Sequence, residues 1–186
     1  MPHTHIGKQK IALSLSILMF LGVAKTFACG CGSASDVSIA DLVNGAVRGS
    51  AVVFAGKVVG LEYRKGIPNE YMDSREKVTG RHIGYETLVV AFKVEQWWKG
   101  EVVPEIILAT EQTKNSEGTG TGGSCDYNFK VDESYLVYAY GKKNELRTSS
   151  CSRTMPLDKA GEDLNVLGEG KEPILKSEKP NMLPEG

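Results

Sequence analysis

Apolar positions fall into three patterns along the chain. Ile11 to Ala24 is an uncharged, mostly apolar run of 14 residues near the start. Alternation with period two, the signature of a half-buried strand, dominates the middle. It is clearest over Tyr85 to Lys99, where Leu88, Val90, Phe92, Val94 and Trp98 alternate with Thr87, Lys93 and Glu95. Ala51 to Tyr63, rich in Val and Phe, predicts another strand, and Gly56 and Gly60 inside it mark a bulge or sharp coil. Lys99-Gly100 reads as a turn, and a third strand is predicted over Glu105 to Thr113, with Pro104 at its start. Tyr135 to Tyr140 and Glu145 to Ser149 predict a fourth and fifth strand joined by a turn over Gly141 to Asn144.

Helical patterns flank this block. Ser35 suits an N-cap for a helix from Asp36 to about Val47, with Val37, Ile39 or Ala40, and Val43 on one side. Pro156 suits the first turn of a helix running to Leu167, with Gly168 as its stop. Arg64 to Arg81 reads as a long polar loop, and Lys114 to Ser124 as a Gly/Ser/Thr-rich loop ending at Cys125. Gly170 to Gly186 lacks periodicity and reads as a disordered tail. The prediction is a mainly β protein: a five-stranded OB-type barrel with two flanking short helices and two disulfides. It divides into a signal segment at 1–28, one domain at 29–168 and a tail at 169–186.

The first run is too short to span a bilayer comfortably. Lys8 and Lys10 precede it, and Thr26-Phe27-Ala28 places small residues at −3 and −1, so cleavage is expected before Cys29. No stable membrane span then remains. An uncleaved anchor is one alternative. Lipid attachment at Cys29 is another, although Thr26 and Phe27 stand where a lipobox carries other residues. The expected location is secreted or periplasmic.

Removing the signal changes the composition. The 22 Lys and Arg lose Lys8, Lys10 and Lys25, which leaves 19 against 23 acidic residues and a net charge of −4. Nucleic acid is not an expected partner, because its phosphates call for a basic face. His3 and His5 also go, so His82 is the only histidine left. That argues against a Ser-His-Asp hydrolase or a multi-His zinc site. His82 itself reads as a loop residue. Carboxylates such as Asp126 and Glu133 have no sequence feature pairing them for acid–base work, so the chain reads as a non-enzyme. Gly118, Gly120 and Gly123 satisfy G-x-G-x-x-G, but no βαβ unit surrounds them, so the segment reads as a flexible loop.

Four cysteines, Cys29, Cys31, Cys125 and Cys151, follow the expected cleavage site. An even count in an exported domain predicts two disulfides. A bond between Cys29 and Cys31 would be strained, so each is expected to reach forward, one to Cys125 and one to Cys151.

Four segments taken in order carry a family resemblance. They are the expected mature start Cys29-Gly30-Cys31, the strand Ser50-Ala51-Val52-Val53-Phe54-Ala55-Gly56-Lys57-Val58-Val59-Gly60, the strand and turn Phe92-Lys93-Val94-Glu95-Gln96-Trp97-Trp98-Lys99-Gly100, and the closing region. The last holds Ser124-Cys125, Tyr135-Leu136-Val137-Tyr138-Ala139 and Thr148-Ser149-Ser150-Cys151. Together they resemble the netrin-type OB domain, specifically the inhibitory domain of the tissue inhibitors of metalloproteinases, over roughly Cys29 to Leu167.

The resemblance implies the pairing Cys29–Cys125 and Cys31–Cys151. It also implies inhibition of a zinc metalloprotease, with the free amino group and carbonyl oxygen of Cys29 chelating the target's catalytic zinc. Gly30, Cys31, Gly123 and Ser124 would complete the contact ridge. No intrinsic metal or cofactor is implied, since the zinc belongs to the target. Gly30 departs from the family, which carries a side chain there for the protease specificity pocket; the third disulfide and the C-terminal domain are also missing. Two other functions fit the sequence: a non-inhibitory exported module binding another extracytoplasmic protein, and a Cys-x-Cys metal carrier using soft thiolates. Trp97 and Trp98 are adjacent, so on a strand they point to opposite faces, which reads as core plus rim.

Overall fold

The computed structural model of the chain describes residues 29–32, 36–80, 84–100 and 103–173. The expected signal segment, Ser35, His82 and residues 174–186 lie outside the described residues. Among the described residues, no helix is long and apolar enough to cross a membrane.

The protein is mainly β. Helix α1 (Ile39–Gly49) leads into strand β1 (Val52–Lys65), followed by helix α2 (Glu70–Thr79), β2 (Tyr85–Lys99) and β3 (Glu105–Asn115). The two-residue β4 (Gly120–Thr121), then β5 (Ser134–Ala139), β6 (Met155–Pro156) and α3 (Gly161–Leu167) complete it. The strands form one antiparallel sheet in the order β4-β3-β2-β1-β5-β6. Six strands replace the five expected.

Bulges let the two longest strands curl. The β1–β2 register shifts at Val53/Phe54, Ala55/Gly56 and Val58/Gly60, so the predicted irregularity at both glycines is present. At Gly56 the neighbouring strand leaves no room for a side chain, since a Cβ there would lie 2.8 Å from the Lys93 carbonyl oxygen.

The period-two pattern of β1, β2 and β5 sorts residues onto two buried faces. Phe54, Val58, Val90, Phe92, Leu108, Phe129, Tyr135 and Val137 fill the concave side. Phe92 packs edge-on against both Phe54 and Phe129, and Phe129 against Tyr135. Val53, Leu136, Tyr138 and Ala160 face the other way, against Ala46 and Val47 of α1 and Leu164 and Leu167 of α3. Trp97 joins the first cluster and Trp98 the second, so the adjacent pair does point to opposite faces.

Several boundaries differ from the sequence expectation. Helix α1 starts at Ile39, because the cap is Ser38, whose Oγ accepts from the Asp41 amide. The expected loop at 64–81 contains α2, capped by Asn69 and stopped by left-handed Gly80. The expected fifth strand at 145–149 makes only single bridges, from Arg147 to Ala109 and to Tyr140. Pro156 belongs to β6, and a 3-10 turn at Leu157–Lys159 precedes the final helix. Lys171 pairs with Trp97 through two backbone hydrogen bonds of 2.9 Å, so paired chain extends past Gly168.

Candidate functional site

The segment Cys29–Gly32 lies in no helix or strand, and its position depends on what it is bonded to. Two disulfides hold it. Cys29 pairs with Cys125 at a Cα separation of 5.0 Å, and Cys31 with Cys151 at 5.2 Å. This is the pairing the resemblance implied. The two receiving cysteines are themselves tied together: the Ser150 amide donates to the Cys125 carbonyl at 2.8 Å, and Ser150 Oγ donates to the same oxygen at 3.2 Å. Cys29 Sγ lies 3.4 Å from Cys151 Sγ, so the bonds form one compact knot. Cys31 and Cys151 are exposed, and Cys29 and Cys125 are half-buried.

The loop leading to Cys125 is fastened to β3. Asp126 Oδ1 accepts from the Glu111 amide at 2.8 Å, and the Asp126 amide donates to the Gly123 carbonyl at 3.1 Å. Gly123 rests on Glu111: a Cβ at position 123 would fall 2.9 Å from Glu111 Cβ. Glu111 is held in turn by Arg147 Nη1, which donates to Glu111 Oε1 at 2.9 Å and to the Thr110 carbonyl at 3.1 Å. Burial pushes the Asp126 carboxyl above the usual range, partly offset by the hydrogen bond from the Glu111 amide. Its Oδ2 is buried without a hydrogen-bond partner.

Of the sequence-predicted positions, the four cysteines meet at one point. Gly123 and Ser124 stand exposed immediately before Cys125, one bond partner away from Cys29. Gly30 is exposed with nothing within 4 Å of where a side chain would start. The glycine-rich loop is a β-hairpin, with Gly120 in β4 and Gly118 in the left-handed region, and no helix follows it. Asp126 and Glu133 make separate contacts: Glu133 accepts from Tyr135 Oη at 2.8 Å and from Lys130 at 3.2 Å.

Glu111, Arg147 and Ser150 were not predicted as site residues. Their contacts cross 15 to 79 residues of chain, so no local pattern marks them. Among the described residues, one group of sulfurs is close enough to share a metal ion, namely Cys29, Cys31 and Cys151, within 4.8 Å of one another. All are disulfide-bonded, and a bonded sulfur offers no thiolate charge.

No family model matches the chain, and no curated protein matches it.

Proposed function

We propose that this chain is an exported, single-domain inhibitor of zinc metalloendopeptidases, processed so that Cys29 becomes its first residue. A catalytic zinc keeps an open coordination position, normally filled by water. An α-amino group titrates near pH 7.7–8.0, so a useful fraction is neutral and can donate its lone pair at neutral pH. The amino nitrogen and carbonyl oxygen of Cys29 would occupy the zinc together and displace that water. The chain needs no metal of its own, because the zinc belongs to the target.

The observation that carries this reading is the double anchoring of Cys29 and Cys31 beside Gly123-Ser124. A terminus fixed in advance loses little freedom on binding, and so retains more of its contact energy. Support for an OB-type barrel comes from Arg147, which bridges Ala109 of β3 and Tyr140 just past β5, strands that are separated by β2 and β1 in the sheet order. Gly30 forgoes a side chain in the target's specificity pocket, at a cost of about 1.5–3 kcal/mol of apolar burial.

The test is to assay protein beginning at Cys29 against a panel of zinc endopeptidases. Inhibition at micromolar or lower concentration supports the reading, and a silent panel removes it. A second reading, a non-inhibitory binding module, is favoured by one feature. Val59, Leu61 and Tyr63 alternate along the second half of β1 and are all exposed, which leaves an apolar stripe there.

A further inference from the structure

The sulfur knot has a second chemical state. Cys31 and Cys151 are exposed, so a small reductant reaches that bond directly. The contacts that position the two receiving cysteines involve no sulfur. The Ser150 amide donates to the Cys125 carbonyl, and Asp126 ties the Cys125 loop to β3. Cys29 and Cys31 remain one residue apart, in a segment whose glycines, Gly30 and Gly32, have open space around them. A free Cys-Gly-Cys segment thus faces two thiols held on the barrel.

We propose that the reduced knot is a tetrathiolate zinc site, formed by Cys29, Cys31, Cys125 and Cys151, in which the ion takes over the clamp that the disulfides provide. Three of the four sulfurs already lie near the spacing that the ion requires, and Cys125 Sγ follows from its bond to Cys29. Zinc–sulfur bonds of about 2.3 Å in a tetrahedron place neighbouring sulfurs about 3.8 Å apart. Cys29 Sγ and Cys151 Sγ are 3.4 Å apart, and the sulfurs of Cys29, Cys31 and Cys151 all lie within 4.8 Å. Cα separations of 5.0 and 5.2 Å leave side-chain rotation to open the two formerly bonded pairs.

The conversion balances. Each S–S bond takes two electrons from one molecule of a phosphine, which leaves as its oxide, with one water supplying the oxygen and the two thiol protons. Four thiols result. Zinc binding then releases four protons and forms four Zn–S bonds, because the thiolate is the ligand. This state is separate from the inhibitory one, in which both disulfides are intact, so the two proposals fail independently.

The test uses the full chain, reduced anaerobically with a phosphine, which is not itself a thiol ligand. Co2+ is titrated in as a coloured substitute for Zn2+, in buffer and again in denaturing urea. The expected result is one equivalent of tetrahedral, sulfur-ligated Co2+, displaced by Zn2+, bound at least tenfold more tightly in buffer than in urea. Cys151→Ser should weaken binding at least tenfold. Absence of the tetrahedral bands, or equal affinity in buffer and urea, would overturn the proposal. Equal affinity would mean that the fold does not assemble the site.

Discussion

Asp126 and Glu111 meet through a 2.8 Å hydrogen bond from the Glu111 amide to the Asp126 carboxylate, and the half-buried acid beside Cys125 thereby fastens the N-terminal anchor to β3. Burial raises the Asp126 pKa in the folded protein, so the fold binds that proton more tightly than the unfolded chain does. By linkage, its contribution favours the folded state at low pH and is lost as pH rises from the ordinary carboxyl range through the raised value. Urea unfolding from pH 4 to 8 should show wild type losing stability relative to Asp126→Asn across that window. A pH-independent difference would contradict this assignment.

Gly123 and Gly122 should respond differently to alanine. At Gly123 the new methyl meets Glu111 Cβ at 2.9 Å, which cannot swing away without moving β3. Gly123→Ala should cost about 1–3 kcal/mol by overpacking. At Gly122 the nearest atom is Gln112 Cγ at 3.3 Å, partway along a flexible side chain, so Gly122→Ala should cost less. Denaturation midpoints of the two variants decide the order.

The convex core holds a polar cluster with a defined hierarchy. Buried Tyr138 donates to Asp163 Oδ2 at 2.7 Å, and Arg153 donates to both carboxylate oxygens of Asp163. Only 2% of the Asp163 side chain is exposed. Tyr138→Phe removes one hydrogen bond while Arg153 still satisfies the acid, so about 1–2 kcal/mol should be lost. Asp163→Ala strands both the hydroxyl and the guanidinium and should cost about 3–5 kcal/mol. Calorimetric unfolding should rank Asp163→Ala well below Tyr138→Phe in stability; equal losses would refute the hierarchy.

Replacing Cys31 and Cys151 together by serine opens a loop closed across 120 residues. Such a closure restricts the unfolded chain, and its removal should cost about 2–5 kcal/mol. It should also free Gly30 and Gly32 without disturbing β1 to β5. Chemical denaturation reads the first effect. Amide exchange, fast in the N-terminal segment and slow in the sheet, reads the second.

Much of the sheet was legible because alternation is a direct imprint of burial. The prediction for β2 matches the observed Tyr85–Lys99 at both ends. Helix α2 was not legible by that route, since its one fully buried apolar side chain among those described is Met72 and it has no apolar stripe. Its signals lie at the ends, in Asn69 as cap and Gly80 as stop, and both read equally well as loop residues. The segment at 145–149 has strand-like residues but pairs at single positions, because its chain passes between β3 and Tyr140 rather than along either. At the candidate site, cysteine spacing pointed to the knot, whereas Glu111 and Arg147 reach it only across distant chain and the bond from Ser150 goes to Cys125 and not to its neighbour Cys151.

In the proposed inhibition, the α-amino group of Cys29 is the group that meets the target's zinc. One comparison tests it most directly: inhibition by protein beginning at Cys29 against protein carrying one extra residue, Ala28, at its start. The extension keeps both disulfides and the ridge at Gly123 and Ser124, and turns the amino group into an amide. A metalloendopeptidase inhibited by the Cys29 form should be inhibited at least about 100-fold less by the extended form, a difference of about 2.7 kcal/mol. Equal inhibition by the two forms would contradict zinc chelation through Cys29.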